Sequence, residues 1–427
     1  MTPQEGGKGP LDGIRVADFS WFGAGPIVGR TLADFGAEVV RVESEYKIDA
    51  LRLTQPVPPD RPATYNTGGF FNNFNAGKHS FLLNMNAEGA RAVAYRLVER
   101  SDVFLTNHTP RVVAKWGVDY ESLRAVNPRI IAAYQPMQGS TGPHKDFIGF
   151  GAVLTPVSGL SHLSGDPARP PIGVGTNYPD FTLNPGHTMT AILAALRHRE
   201  RTGAGQMVEL AQIESVAATL GPALLDYTVN GRVAARTGNR SAGMAPHGVF
   251  RCRDQARSHP AAVGQDPDVR ERWIAIAVRD DDDWAALCAA APGSAFAGDA
   301  RFATVAGRKR HEDALESAIA AWTAGEEAAS LQERLQGADV PAHLVQDAED
   351  MLDHDAHLRA RGYYRRLEHP ETGLSAYDGP VVGLGETPGD LRWAAPLFGE
   401  HTYEVATRIL GYSDDEVSEL VAAGVLA

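Results

Sequence analysis

One carboxylate in this chain stands where it could act as a nucleophile. Asp180 follows Pro179 and lies between two aromatic residues, Tyr178 and Phe181, shortly before a helical pattern. An aspartate ahead of a helix commonly caps that helix or forms a Pro-Asp turn. Held in a loop that excludes water, the same carboxylate can instead form a covalent acyl intermediate. These residues by themselves leave both interpretations open.

The residues after Asp180 predict a helix and then a strand. Met189, Ile192, Leu193 and Leu196 recur at the spacing of one helical face, which predicts a buried stripe. Basic residues from position 197 to 201 load the end of the helix, where its dipole favours positive charge. Glycines at positions 203 and 205 predict the end of the helix, and positions 207–210 predict a short strand.

The N-terminal region predicts a β-α-β unit. A buried strand is expected at 14–19, a glycine-containing turn and a helix follow, and a second strand is expected at 38–42. The small residues Gly23 and Ala24 would let a ligand approach the backbone closely. With Glu43 twenty residues after Gly23, the pattern approximates a dinucleotide fingerprint, but its third glycine is displaced. An NAD or FAD site is therefore the weaker alternative.

Polar residues follow two further predicted strands, at 80–83 and 102–105. Ligands of open α/β sheets bind outside the carboxyl ends of the strands. The residues at these two strand ends and just beyond them are therefore candidates for ligand binding. They are Leu83, Asn84, Asn107, His108 and Thr109.

Size and charge limit the function classes. A chain of 427 residues exceeds what one hydrophobic core usually supports, so two domains are expected. The net charge of −13 argues against nucleic acid as a partner, because phosphate binding depends on an excess of Lys and Arg.

The composition also predicts the compartment and the absence of a metal site. Two cysteines have neither metal spacing nor a disulfide framework, which fits a reducing cytoplasm. The first ten residues contain no apolar signal segment, and no run of 18 apolar residues predicts a membrane span. His354 and His357 share a helical face, but no further ligand follows at metal spacing, so a surface helix is expected there.

Six blocks in the same order resemble the family III CoA-transferases, the family of formyl-CoA and carnitine-CoA transferases. One block contains Tyr178, Pro179 and Asp180 with the helix ending LAALRHRERTGAGQ. Together the six blocks extend the match over nearly the whole chain. The other five are LADFGAEVVRVE, FNAGKHSFLLN, GVDYESLRAVNPRII, DVPAHLVQDAEDML and GEHTYEVATRILGYSDDEV.

The resemblance implies an α/β fold with a Rossmann-like large domain, a smaller α+β domain and a chain that returns to the large domain. The expected boundaries are 1–228 for the first part of the large domain, 229–335 for the small domain and 336–427 for the returning part. It further implies an interlocked dimer, in which homodimer and heterodimer both stay open.

The resemblance also implies the chemistry. Asp180 would be the nucleophile of a CoA-transferase that moves CoA from an acyl-CoA donor to a carboxylic acid, through an anhydride and an aspartyl-CoA thioester. Acyl-CoA is then a substrate, and no permanently bound cofactor or metal is expected. The implied CoA contacts are Gly23, Ala24, Leu83, Asn84, Asn86, Asn107, His108, Thr109 and Lys115.

Two departures from the family pattern affect this hypothesis. The family commonly reads Asn-Phe-Arg-Pro-Gly where this chain has Asn-His-Thr-Pro-Arg at 107–111, so Arg111 or Lys115 would supply the positive charge for phosphate. The racemase branch carries Gly-His-Asp where this chain has Gly149, Phe150 and Gly151, and Phe150 cannot move a proton. The alternatives are an acyl-CoA isomerase or racemase of the same fold, disfavoured by Phe150, and one subunit of a heteromeric CoA-transferase.

Overall fold

A computed structural model describes residues 9–54, 56–58, 60–175, 178–262 and 264–427. The chain divides into two compact units, each with its own core. The large unit comprises the described residues up to Ser161, Gly173–Ala234 and Ala356–Ala427, and the small unit comprises His162–Ile172 and Ala235–Asp355. The expectation that the first ten residues contain no apolar signal segment concerns residues that lie mostly outside the described ranges.

The strands are short, and thirteen of them are found in the described residues. In chain order they are β1 Arg15–Asp18, β2 Glu38–Glu43, β3 His79–Leu82, β4 Val103–Thr106, β5 Ile131–Tyr134, β6 Gln206–Glu209, β7 His247–Arg251, β8 Gln255–Ala256, β9 Val269–Arg270, β10 Trp273–Ala277, β11 Ala342–Leu344, β12 Tyr364–His369 and β13 Gly373–Asp378.

Seventeen α-helices are found in the same residues. They are α1 Ala24–Asp34, α2 Gly69–Asn75, α3 Ala90–Glu99, α4 Pro110–Trp116, α5 Tyr120–Val126, α6 Gly151–Val157, α7 Leu160–Leu163, α8 Asn184–Thr202, α9 Gln212–Ala217, α10 Gly221–Asn230, α11 Asp281–Ala290, α12 Val305–Arg310, α13 Glu312–Thr323, α14 Ala328–Gln336, α15 Ala356–Arg361, α16 Thr402–Glu404 and α17 Asp414–Ala422. None is both long and apolar enough to cross a bilayer within the described residues.

The large unit is built on a six-stranded parallel sheet in the order β3-β2-β1-β4-β5-β6. This is the doubly wound strand order, in which the order of successive strands reverses between β1 and β4 and ligands bind at the carboxyl ends there. The predicted β-α-β unit and the Rossmann-like large domain are confirmed.

Alternate residues of the strands enter two cores on opposite faces of the sheet. Ala17 and Phe104 face a core formed with α3, whereas Val16 and Leu105 face a core formed with α1 and α8. The first core also contains Val405, Ala406, Leu410 and Val417, which come from the end of the chain. The chain therefore returns to the large unit, as expected.

The small unit has an antiparallel three-stranded sheet, β11-β10-β7. Its core joins Ile274 and Ile276 of β10 to residues of α11, α13 and α14, such as Leu287, Ile319 and Leu331. The expected smaller α+β region is therefore present. Its bounds differ from the expected 229–335, because β11 pairs with β10 and the segment up to Asp355 stays with this unit.

Helix α8 differs in detail from its prediction. Ile192 and Leu196 are buried as expected, but the side chain of Leu193 is 44% exposed. Buried Arg199 lies on the same helix and pairs with Asp102 at 2.9 Å between Nη1 and Oδ1. After β6, a 3₁₀ turn at Ala218–Leu220 separates α9 from α10.

A buried ion pair fastens the turn after β1. Lys78 Nζ donates to Asp18 Oδ2 at 2.8 Å, and neither side chain is exposed to solvent. The same ammonium donates to the carbonyl of Pro26 in α1 at 2.8 Å and to Asn75 Oδ1 in α2 at 2.9 Å. Burial lowers the pKa of Lys78 to about 8, against the attraction of Asp18. Lys78 thus links β1, α1 and α2 next to the turn that carries Gly23.

Candidate active site

A cavity of about 750 Å³ opens where β1 and β4 end. Its walls come from the turn after β1, the segment after β2, the segment after β4, and two later segments that contain Phe150 and Asp180. The described lining residues are Trp21, Phe22, Gly23, Ala24, Lys47, Ile48, Ala50, Asn107, His108, Thr109, Arg111, Val112, Met137, Phe147, Ile148, Gly149, Phe150, Val153, Asp180 and Gln212. The cavity therefore lies at the edge of the sheet that the strand-end rule indicated.

Asp180 lies in a helical turn rather than in a loop. The turn Pro179–Leu183 has π-helical hydrogen bonding and runs directly into α8. The carboxylate is 4% exposed and accepts a hydrogen bond from the backbone N–H of Gly151, at 2.7 Å between N and Oδ2. Gly151 is the first residue of α6, so the carboxylate lies at the starts of two helices, where the dipoles favour an anion.

A chain of buried amides supports the other carboxylate oxygen. Asn184 Nδ2 lies 3.5 Å from Asp180 Oδ1 and 3.2 Å from Gln212 Oε1. Gln212 Nε2 in turn donates to the backbone carbonyl of Gln135 at 2.7 Å, just beyond the end of β5. The sequence analysis did not single out Asn184 or Gln212, although Asn184 lies one helical turn after Asp180.

Gly23 packs closely against Phe181 and the Cβ atom of Asp180. A Cβ atom at this position would be 2.9 Å from Cε1 of Phe181 and 3.5 Å from Cβ of Asp180. Real Cβ contacts as short as 2.9 Å require a neighbour to move, and Phe181 is packed against Phe74. The turn after β1 can approach Asp180 this closely because it has no side chain here.

A second, smaller cavity of about 210 Å³ lies beside the ends of β2, β3 and β4. It shares Trp21, Lys47, His108 and Val112 with the first cavity, so the two meet at these residues. The predicted residues Leu83, Asn84, Asn86, His108 and Lys115 line it. Gly23, Ala24, Asn107, His108, Thr109 and Asp180 line the first cavity. All the predicted site residues are therefore placed along one continuous pair of cavities.

Several of the predicted polar side chains already have protein partners. Asn107 accepts from the backbone N–H of Trp21 at 2.8 Å and donates to the carbonyl of Trp21 at 2.7 Å, which fixes the turn after β1. Asn86 Oδ1 accepts from Lys115 Nζ at 2.7 Å. Asn84 donates to the carbonyl of Gly424 near the end of the chain, at 3.3 Å. These amides shape the cavities as well as line them.

Two residues that line the first cavity each carry a buried polar atom with no hydrogen-bond partner among the described residues. These atoms are Nε2 of His108 and Oγ1 of Thr109. Burial lowers the pKa of His108 to about 4, and the charges of Lys47 and Arg41 add to the effect, so the imidazole is neutral at pH 7. Each atom can therefore hydrogen bond to a polar group of a ligand.

Sequence analysis missed Trp21 and Lys47, which line both cavities. Lys47 lies a few residues after β2, and its ammonium is 5.1 Å from the ring centre of Trp21, an arrangement typical of a cation–π contact. The rule that drew attention to the ends of β3 and β4 applies equally to β2. Applied there, it would have found Lys47.

Side chains of the protein already bind both carboxylate oxygens of Glu43. Its two oxygens accept from Arg52 Nε at 2.8 Å and Arg52 Nη2 at 2.7 Å, and one of them also accepts from Ser80. The pKa of Glu43 is lowered despite its burial, because Arg52 and Arg41 favour the charged form. Glu43 is therefore part of a buried ion network, which explains its place at the end of β2.

Phe150 stacks on Phe22, with ring centres 5.7 Å apart and planes 5° apart. Both rings line the first cavity, which also contains Asp180. The position at which the racemase branch places a histidine therefore contributes an apolar wall. It offers no proton to an acyl-CoA.

Among the described residues, one group of side chains lies close enough together to hold a metal ion, and the sequence analysis did not predict it. His79, His401 and Glu404 bring one ligand atom each within 4.8 Å of one another, at the start of β3 and so at the opposite edge of the sheet. His401 Nδ1 accepts from the backbone N–H of Ser80 at 3.3 Å, and Arg408 binds Glu404 at 3.0 Å. An adjacent guanidinium disfavours a bound cation, so this group fits the packing of the C-terminal segment.

Comparison with known proteins identifies the family. The model of CoA-transferase family III matches residues 11–402. The chain belongs to CoA-transferase family III. This family transfers CoA, so the chain is an enzyme that uses CoA and acyl-CoA as substrates.

Individual relatives support the same assignment. A succinyl-CoA–D-citramalate CoA-transferase from Chloroflexus aurantiacus is 32% identical over 417 residues, covering 98% of each chain. The β subunit of a succinyl-CoA–L-malate CoA-transferase from the same organism is 31% identical over 421 residues, also covering 98% of each. A CAIB/BAIF family protein from Brucella suis has a solved structure that matches with a TM-score of 0.80 at 27% identity, covering 94% of this chain and 100% of that one.

Removing the N–H that binds Asp180 is expected to slow this CoA-transferase. Proline is tolerated at the first position of a helix, and Phe150 already has the extended backbone that precedes proline (φ −143°, ψ −177°). The variant Gly151→Pro should therefore fold, but its ring displaces the carboxylate from the 2.7 Å contact. Misplacement by about 1 Å costs on the order of 100-fold in turnover.

Steady-state CoA transfer measures this loss, and Gly151→Ala is the matched control because it keeps the N–H. If the alanine and proline variants lose the same activity, the buried position tolerates no side chain and the hydrogen bond is not what matters.

Proposed function

We propose that the chain transfers CoA between carboxylic acids through covalent intermediates on Asp180. The observation that carries the proposal is the buried carboxylate of Asp180, which is 4% exposed and accepts a hydrogen bond from the Gly151 N–H. It lines the first cavity, which meets the second, smaller cavity. A carboxylate positioned beside a thioester and shielded from water is a competent nucleophile.

The proposed reaction begins when an oxygen of Asp180 attacks the carbonyl of the donor thioester. The C–S bond breaks, leaving an aspartyl-acyl anhydride and CoA thiolate. The thiolate then attacks the Asp180 carbonyl carbon, the donor acid leaves as a carboxylate, and an aspartyl-CoA thioester remains.

The second half reverses these steps with the acceptor. The acceptor carboxylate attacks the aspartyl thioester, the thiolate is released again, and it takes the acceptor acyl group from the new anhydride. Asp180 returns as a carboxylate. No step takes up or releases a proton, which agrees with a cavity whose histidine is neutral and whose Phe150 offers no base.

The two cavities divide the proposed CoA binding. Lys47 and Lys115 line the smaller cavity and supply positive charge for the phosphates of CoA. His108 lines both cavities and Thr109 lines the larger one, and their Nε2 and Oγ1 atoms, which lack partners among the described residues, would bind the amides of the pantetheine arm. Gly23 and Ala24 line the larger cavity together with Asp180, and their small size lets the thioester approach the backbone there.

Dicarboxylic acids are the proposed substrate class. Two relatives that match along almost their full length are named for succinyl-CoA as one substrate, with citramalate or malate as the other. Succinate, citramalate and malate all carry two carboxylates.

The same relatives bear on assembly, because one of them is a subunit of a heteromer. We propose an interlocked dimer, with light scattering of the chain expressed alone to separate homodimer from heterodimer.

Trapping the covalent intermediate tests the proposal. The chain is incubated with succinyl-CoA and related donors without an acceptor, treated with borohydride or hydroxylamine, digested, and analysed by mass. We expect modification of the peptide that contains Asp180. The absence of an adduct with every donor, in a protein that demonstrably binds CoA, would contradict the mechanism and favour an isomerase or a subunit that needs its partner.

A further inference from the structure

Arg111 lines the same cavity as Asp180 and is exposed. In the part of the chain that the structure describes, no side chain or carbonyl pairs with its guanidinium. The described lining of this cavity contains one carboxylate, that of Asp180, which the Gly151 N–H already binds. Arg111 therefore offers an unused planar set of donors at a site that works on anions.

The basic side chains that line the two cavities are divided between them. Lys115 lines the smaller cavity, where it binds Asn86, and Lys47 lines both cavities beside Trp21. Arg111 lines the larger cavity, which holds Asp180. The two lysines are thus available to the CoA phosphates in the smaller cavity. Arg111 lies in the larger cavity with Asp180, which we call the acyl side because the acyl group would react there.

The rest of the acyl-side wall is apolar. Met137, Phe147, Ile148 and Val153 line it together with Phe150. Such a wall suits the methylene carbons of an acyl chain, but it would penalise a charged chain end that found no partner. A guanidinium binds a carboxylate through two parallel hydrogen bonds, which supplies that partner.

We propose that Arg111 binds the distal carboxylate of the substrate, the one that does not react, in both the dicarboxylyl-CoA and the acceptor acid. The proposal rests on the proposed function for the substrate class and adds the residue that recognises it. It predicts that the enzyme selects acyl groups that end in a carboxylate over acyl groups of equal length that end in a methyl group.

Binding to a protein that cannot react tests Arg111 separately from the nucleophile. In the full-length Asp180→Ala variant, calorimetry compares succinyl-CoA with butyryl-CoA, and glutaryl-CoA with pentanoyl-CoA. Each pair has the same number of acyl carbons and differs at the chain end. We expect the carboxylate-ended ligand to bind about tenfold more tightly, as one charge-assisted interaction allows.

The double variant Asp180→Ala, Arg111→Ala should lose this preference and bind free CoA as before, while Arg111→Lys should keep part of it. Asp180→Ala, Lys115→Ala is the matched control, expected to weaken all four ligands and CoA equally. The proposal is overturned if the parent variant shows no preference, if removal of Arg111 leaves the preference intact, or if it weakens CoA and all four ligands alike, since Arg111 would then bind phosphate. Failure of the Asp180 mechanism would appear in the trapping experiment and would leave these binding ratios unchanged.

Discussion

Replacing Asp180 with alanine is expected to abolish CoA transfer. The variant has no group that can form the anhydride or hold CoA as a thioester, and removal of a catalytic nucleophile costs on the order of 10⁴-fold or more in turnover. CoA binding should be largely retained, because the polar residues of the second cavity are untouched. Transfer is measured by chromatography of the product acyl-CoA, and binding by calorimetry.

Asp119→Ala is a suitable control for this experiment. Asp119 caps α5 by accepting from the Ser122 N–H at 3.1 Å, and it lines neither cavity. It should keep its activity, with at most a loss of about 1 kcal/mol in the free energy of unfolding. Asp180→Asn is less informative, because deamidation restores the nucleophile. Transfer at the wild-type rate by purified Asp180→Ala would rule out the covalent mechanism.

Replacing Lys78 with methionine is expected to have the largest effect on stability. The change leaves Asp18 fully buried without the ammonium that it binds at 2.8 Å, and loss of one partner of a buried pair costs about 3–5 kcal/mol in the free energy of unfolding. The bonds from Lys78 to Pro26 and Asn75 are lost as well, so the turn that carries Gly23 should loosen and CoA transfer should fall. Urea unfolding of the whole chain measures the loss in the free energy of unfolding.

Lys145→Met serves as the comparison, since Lys145 is exposed and should change the free energy of unfolding by less than about 0.5 kcal/mol. In Lys78→Met, Arg41 remains near Asp18, at 3.9 Å between Nη1 and Oδ2, so adding Asp18→Asn removes a poorly compensated buried charge and should recover part of the loss. Equal stability of the Lys78 and Lys145 variants would show that the buried pair contributes nothing net.

The sequence by itself determined the fold class and the edge of the sheet that holds the site. Short apolar segments separated by glycine turns and amphipathic stretches allow few arrangements, and β1, α1 and β2 followed the predicted order. Residues at the carboxyl ends of parallel strands must meet at one edge, so Asn84, Asn107 and His108 could be placed together before the structure was known.

Asp180 needed more than local pattern. Its neighbours fitted a helix cap equally well, and the motif that surrounds it supplied the functional interpretation. The structure places the residue in a π-helical turn joined to α8, with its carboxylate bound by an N–H from α6. Cap interactions are local to one helix, whereas this contact joins residues 29 positions apart.

What only the tertiary structure decided are the partners that come from distant parts of the chain. The N–H of Gly151, the amide of Gln212 and the ammonium of Lys47 approach the site from separate segments. The exposure of Leu193 and the extent of the small unit to Asp355 depend on which surfaces other elements cover. Periodicity and motif spacing describe a residue's neighbours along the chain. Burial, charge pairing and the freedom of Arg111 depend on neighbours in space, which the packing of the whole unit determines.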